Sequence, residues 1–213
     1  MQEFSRIPLG ELGLHGQLCT VSGARGLVVF VHANGSQHIG RSNLELARRL
    51  QQRELSTLLP DLLNPAEAVD AGLSRNIDLL TQRVLQALHA LPADWHKLPI
   101  GLFGSGVGSA AALVAQTHRP RRVAAIVSRG GLVDLAASAL GEVSAPTLLI
   151  VGAADTDVLE RNRRAYALLR CEKRIAIVPR ASHLFLEAGA LDDVAQLAGD
   201  WFCAHLGAPA PGA

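Results

Sequence analysis

The chain has 213 residues, 49% of them hydrophobic and 18% charged, with a formal net charge of +1. That balance fits one ordinary domain with a substantial core and excludes a disordered chain. Neither a basic excess nor a polybasic run is present, so neither nucleic acid nor an anionic membrane is expected as a partner. The segment Met1–Gly10 lacks the apolar stretch of a secretion signal. The longest apolar runs, Leu27–Val31 and Pro146–Val151, are far too short to span a bilayer. Three cysteines, Cys19, Cys171 and Cys203, without a CxxC spacing, predict a reduced, cytoplasmic chain and no disulfide scaffold. Aromatic residues make up only 4%, which leaves the core to Leu, Val, Ile and Ala.

Strand and helix patterns alternate along the chain. Leu12–Thr20 alternates as an early edge strand does, and Gly26–His32 is a continuous apolar run, as expected of a strand buried on both faces. A polar, glycine-containing turn, Ala33–Gly40, follows. Asn43–Glu54 reads as an amphipathic helix with Leu44, Ala47 and Leu50 on one face. Leu55–Pro60 is a second buried strand, Asp61–Gly72 a loop, and Ser74–Leu91 a helix on the spacing of Ile77, Leu80, Val84, Leu85 and Leu88. Pro99–Phe103 is a strand leading into a small-residue helix, Ser109–Thr117. Arg122–Val127 is a strand, and a short helical stretch covers Leu132–Leu140. Strand Pro146–Val151, helix Asp157–Arg170, strand Arg174–Val178 and a final helix at about Leu191–Leu206 complete the order. Such alternation predicts a mostly parallel, twisted sheet with helices on both faces. No segment between strands is long enough for a cap domain. Residues 1–206 read as one domain, and the Gly/Pro/Ala-rich Gly207–Ala213 as a frayed tail.

Ligands of open parallel sheets sit at the carboxyl ends of the strands. Three of those ends carry candidate chemistry. The first is Gly104-Ser105-Gly106-Val107-Gly108. It has the Gly-x-nucleophile-x-Gly form of an elbow running from a strand into a helix, where side chains at the flanking positions would strike neighbouring backbone. The central position holds Gly106, which offers no side chain to attack a carbonyl. Ser105 is the alternative nucleophile, but its own flanking positions would be Phe103 and Val107, so the elbow would have to slip by one residue.

The other two ends supply an acid and a base in the chain order such an elbow requires. Asp155 follows a buried strand, and His183 follows the next. The acid orients the imidazole and the imidazole moves the proton. Asp155 also reads as a helix cap, with Asp157 a rival acid, and His183 as a surface-loop histidine. An oxyanion hole would draw on the backbone N–H of Val107 and on the loop after the Gly26–His32 strand, at Ala33 or Asn34. The spacing of His32, His38 and His183 fits no zinc pattern, so no metal is expected.

Taken together these residues resemble the dienelactone-hydrolase-like branch of the α/β hydrolases over nearly the whole chain. The likeness is greatest to short bacterial members found alone or fused to phosphoribosyltransferase domains. Members typically read LPIGxFGASTGAAAAL at the elbow, where Leu98 to Leu113 here reads LPIGLFGSGVGSAAAL. The segments Val127-Ser128-Arg129-Gly130-Gly131, Ala145 to Gly152 leading to Asp155, Arg170 to Arg174, and Ser182-His183-Leu184-Phe185 also match. The resemblance implies an α/β-hydrolase fold, no cofactor, and a triad falling on Gly106, Asp155 and His183. Two departures lie in the catalytic region: Gly106 stands for the serine, and His32-Ala33-Asn34 for the usual His-Gly-Ser. The expected function is therefore an inactive or weakly active homologue keeping a cleft for a small molecule or a protein partner. The alternatives are a hydrolase of small carboxylic esters or lactones, working through Ser105 or a water activated by His183, and a serine-to-glycine variant of an active enzyme.

Overall fold

The computed structural model describes residues 1–10, 12–33 and 40–207. Its eight strands are β1 (Gln2–Pro8), β2 (His15–Val21), β3 (Gly26–Val31), β4 (Leu55–Pro60), β5 (Ile100–Ser105), β6 (Val123–Arg129), β7 (Thr147–Gly152) and β8 (Lys173–Val178). They form one sheet in the order β1-β2-β4-β3-β5-β6-β7-β8. Strands β1, β2 and β4 pair antiparallel and all other pairs are parallel. The helices are α1 (Arg41–Gln51), α2 (Pro65–Val69), α3 (Ile77–His89), α4 (Val107–His118), α5 (Thr156–Leu168) and α6 (Ala190–His205). The architecture is that of an α/β hydrolase without a cap domain.

Alternation along the buried strands explains the layers. Leu27, Val29 and Val31 of β3 face the core built with α3, α4 and α5, while Val28 and Phe30 face the core built with α1 and α6. Helix α4 is sheathed on most sides. Its Ala110, Ala111, Ala112, Leu113 and Ala115 are all inaccessible, and only small side chains let a helix sit so close to the sheet. Gly101 has the same logic from the other face, since a Cβ there would overlap the ring of Phe202 in α6.

Several boundaries differ from the sequence reading. Strand β2 is not the edge. The exposed segment Gln2–Pro8 pairs with it as a hairpin and takes the edge instead. That segment is exposed at nearly every position, so burial left no periodic signal to read. The stretch Asp61–Gly72, expected as a loop, contains α2, held by a capping box between Asn64 and Glu67. On α1 the buried stripe is Asn43, Leu46, Ala47 and Leu50, and Leu44 is 37% exposed. The region Leu132–Leu140 forms two short 3-10 turns, Val133–Ala136 and Leu140–Glu142. No helix among the described residues is long and apolar enough to cross a membrane.

The corrected α1 face gives a direct expectation. Leu50→Ala removes a fully buried side chain and should lower unfolding free energy by roughly 2–5 kcal/mol. Leu44→Ala should stay within about 0.5 kcal/mol of the parent. Urea unfolding followed by circular dichroism measures both, and equal effects would refute the assignment.

Candidate functional site

The sheet reverses its strand order around β3, and the crevice between β3 and β5 opens at their carboxyl ends. Strand β5 ends there at Ser105, and α4 begins two residues later at Val107. Between them Gly106 has φ 54° and ψ −127°, a conformation that L-residues enter only under strain. A Cβ built on Gly106 meets nothing within 4 Å, so the space above it is open. The neighbours two residues away are the opposite. A Cβ on Gly104 would lie 2.5 Å from Ser109 Cα. One on Gly108 would lie 2.7 Å from the Val31 carbonyl carbon and nearer still to its oxygen. The pattern is two positions closed to any side chain and one open position between them.

Asp155 stands at the N-cap of α5, but its side chain makes no capping hydrogen bond. Its Oδ2 lies 2.7 Å from His183 Nδ1 instead. The Asp155 side chain is 14% exposed and that of His183 47%, so the carboxylate is sheltered while the imidazole reaches solvent. Asp157, the rival acid, is 77% exposed and pairs with Arg161 at 3.0 Å. Backbone hydrogen bonds hold the two loops together. Ala153 N–H donates to Val178 O at 2.9 Å and Ala154 N–H to Ala181 O at 3.0 Å. Gly152 permits this approach, since a Cβ there would overlap the Ala181 carbonyl. Phe185, buried and at φ 56°, anchors the His183 loop in the α1/α6 core.

A third loop links the elbow to the histidine. Leu132 N–H donates to Gly106 O at 3.0 Å. Gly130, at φ 53°, lies against His183: a Cβ there would be 3.6 Å from His183 Cε1. Asn162, buried in α5, fixes the loop by donating its Nδ2 to Gly131 O at 2.8 Å. The sequence assigns no role to the Ser128–Gly131 segment, and nothing in the spacing of Asn162 marks it.

Val107 opens α4, so its N–H has no carbonyl one turn back within the helix. Ala33 lies half-buried just past β3. Asn34 and His38 lie outside the described residues. His32 is buried, and neither ring nitrogen has a hydrogen-bond partner among the described residues. Burial, and then the nearby Arg129 charge, lower its pKa to about 4. Among the described residues no three His, Cys, Asp or Glu side chains group as metal ligands would.

The depressed pKa of His32 has a stability consequence. The unfolded chain binds a proton at about the ordinary histidine pKa, and the folded chain does not until about pH 4. Stability is therefore full above that ordinary value and falls as pH drops from there toward 4, by on the order of 3 kcal/mol. Urea midpoints measured from pH 7 to pH 4 should show this fall, and His32→Gln should flatten it. An equal slope in the variant would assign the loss to other groups.

The chain matches no established family profile. It is 42% identical over 208 residues to a Mycobacterium tuberculosis protein, present in strains CDC 1551 and H37Rv, that is named provisionally as a phosphoribosyl transferase. That match takes in 97% of this chain and 47% of the relative, so the chain spans about half the length of the curated relatives it matches. Among solved structures, Est1E from Butyrivibrio proteoclasticus is 12% identical with a TM-score of 0.79, over 95% of this chain and 98% of its own. A metagenomic dienelactone hydrolase-like promiscuous phosphotriesterase is 22% identical with a TM-score of 0.71, over 96% and 98%. These two share the fold alone. The dienelactone hydrolase of Anabaena variabilis is 44% identical, covers 96% of this chain and 98% of its own, and superposes with a TM-score of 0.90. Identity at that level across essentially the full length of both chains places this protein in the dienelactone hydrolase family of α/β hydrolases.

Proposed function

We propose that this chain is a dienelactone-hydrolase-like homologue in which Gly106 occupies the nucleophile position. It is then inactive or weakly active and keeps its cleft for binding a small molecule or a protein partner. The observation that carries this reading is the backbone at Gly106. It combines a strained positive φ with open space above it, between two glycines that neighbouring backbone closes to any side chain. The frame supports Gly106 over Ser105 as the reacting position. A frame centred on Ser105 would need its tight approaches at Phe103 and Val107, whereas they fall at Gly104 and Gly108. By strand alternation Ser105 shares the face of Phe103, toward the α1/α6 core.

The Asp155–His183 pair favours a second reading, slow hydrolysis by water. A carboxylate held 2.7 Å from Nδ1 leaves Nε2 free to accept a proton. With no covalent step, such an enzyme would rely on the base and on main-chain donors such as Val107 N–H, and would be slow.

Both readings meet in one experiment. Gly106→Ser restores a hydroxyl in open space, at a backbone cost of roughly 1–3 kcal/mol. Turnover of p-nitrophenyl acetate should rise by several orders of magnitude, as the loss on deleting a nucleophile implies. His183→Ala added to Gly106→Ser should abolish the gain. The parent chain should also resist labelling by a fluorophosphonate probe. Labelling of the parent that vanishes in Ser105→Ala, or a folded Gly106→Ser no faster than the parent, would overturn the proposal.

A further inference from the structure

The sheet ends on a bare strand. Strand β1 has β2 on one side, and no described residue pairs with its other side. Its seven residues pair with β2 without a bulge, and all but Ile7 are exposed. Along an antiparallel ladder each residue turns its N–H and C=O to the same side, and successive residues alternate. Ser22 N–H donates to Met1 O, and Leu9 N–H to Leu14 O. The odd-numbered residues of β1 therefore bond to β2, while Gln2, Phe4 and Arg6 turn their N–H and C=O groups outward. Pro8, which has no N–H to offer, stands at the end of that outward row.

A long, regular edge is a template for another strand, and chains that avoid such pairing interrupt or cover theirs with bulges, lysines, prolines or loops. Strand β1 carries no bulge and no lysine, and its proline lies at the last position. The centre of the outward row is apolar. Of the five phenylalanines, Phe30, Phe103, Phe185 and Phe202 are each 2% exposed or less, whereas Phe4 is 70% exposed. Covering a ring of that size favours association.

The strand is also complementary to itself. Two copies paired antiparallel about a two-fold axis place one residue opposite its own counterpart. Centred on Phe4, ring faces ring, Gln2 faces Arg6, Glu3 faces Ser5 and Met1 faces Ile7. Apolar residues then meet apolar ones, and polar residues meet polar ones. The Phe4 pair and each Gln2–Arg6 pair would exchange two main-chain hydrogen bonds, which uses every outward group of those residues. The neighbouring registers fail. Centred on Glu3, two carboxylates would face each other. Centred on Ser5, Glu3 would face Ile7, and Gln2 would face Pro8, which lacks the donor. We propose that β1 is the interface of a homodimer, in which a second copy of this chain continues the sheet with the two Phe4 residues facing across the two-fold axis. Strands β2, β4 and β3 separate this edge from the Gly104–Gly108 turn, so the interface stands apart from the reading of the cleft.

Association and register are tested separately. Sedimentation velocity of the parent from about 1 to about 500 µM should show a reversible monomer–dimer equilibrium, in the weak range that one strand from each copy implies. Phe4→Lys sets two like charges opposite each other and should raise the dissociation constant by roughly 10-fold or more. Because Phe4 is exposed, the circular dichroism of the variant should match the parent. For the register, Glu3 of one copy and Ser5 of the other would be directly opposed with Cα atoms about 4.5 Å apart, within disulfide reach. An equimolar mixture of Glu3→Cys and Ser5→Cys chains should cross-link under mild oxidation. Neither chain alone should do so beyond the parent, whose Cys19, Cys171 and Cys203 set the background. A parent that stays monomeric over the whole range would overturn the proposal and leave the edge to a different partner. A dimer that persists unchanged in Phe4→Lys would place the interface elsewhere. Cross-linking that is equal in the mixed and single pools would refute the register centred on Phe4.

Discussion

The close approach of the β5–α4 turn to the backbone beside it sets the geometry of everything around it. Helix α4 begins so near the end of β3 that position 108 abuts the Val31 carbonyl, and position 104 abuts Ser109 in the first turn of the helix. Two glycines are needed for the chain to turn there at all. The turn in turn directs the first amides of α4 toward the crevice beside β3, where a sheet of this order binds ligands. A third tight approach, Gly152 against Ala181, does the same for the acid and base loops. Three glycines therefore fix the relative heights of three strand ends before any functional side chain is considered.

Against that frame the polar groups are few and closely fastened. Asp155 is held to His183, the two loops share backbone hydrogen bonds, and Asn162 pins the Gly130–Leu132 loop that touches both Gly106 and His183. Among the described residues, buried polar atoms without a hydrogen-bond partner fall on both sides of the sheet: the ring of His32 and the Nη1 of Arg129, and also Thr81 Oγ1, Ser109 Oγ and Asn162 Oδ1 on α3, α4 and α5.

Much of this was legible in the sequence because burial writes strong patterns. The apolar runs of β3, β4 and β7, buried at every position, were visible as runs. The elbow glycines and Asp155 were visible because each follows a buried run, β5 and β7, while His183 follows the partly exposed β8 and was visible by its place in the chain order. What escaped detection lacked that signal. Strand β1 is exposed along nearly all its length, so it shows no alternation, and its pairing is decided by main-chain hydrogen bonds that any sequence can make. The short helix α2 rests on a local capping box and fully buries no residue. Leu44 and Leu46 are both leucines on one helix, and which of them faces inward is settled by where the helix docks. Asn162 acquires meaning only from a neighbour distant in sequence, the Gly131 carbonyl.

Preserved geometry and preserved chemistry are separate matters here. A serine at φ 54° and ψ −127° would carry strain of roughly 1–3 kcal/mol, which an active enzyme sustains because the turn aims its hydroxyl. Glycine takes the same angles freely, so replacing the nucleophile relaxes the turn without moving it. The approaches at Gly104, Gly108 and Gly152, and the Asn162 tether, are packing constraints that operate whether or not a hydroxyl is present. A chain that gave up its nucleophile would thus become slightly more stable while its acid, base and main-chain donors stayed where the fold puts them. For that reason the intact Asp155–His183 pair argues for descent from a catalytic arrangement more strongly than for present turnover.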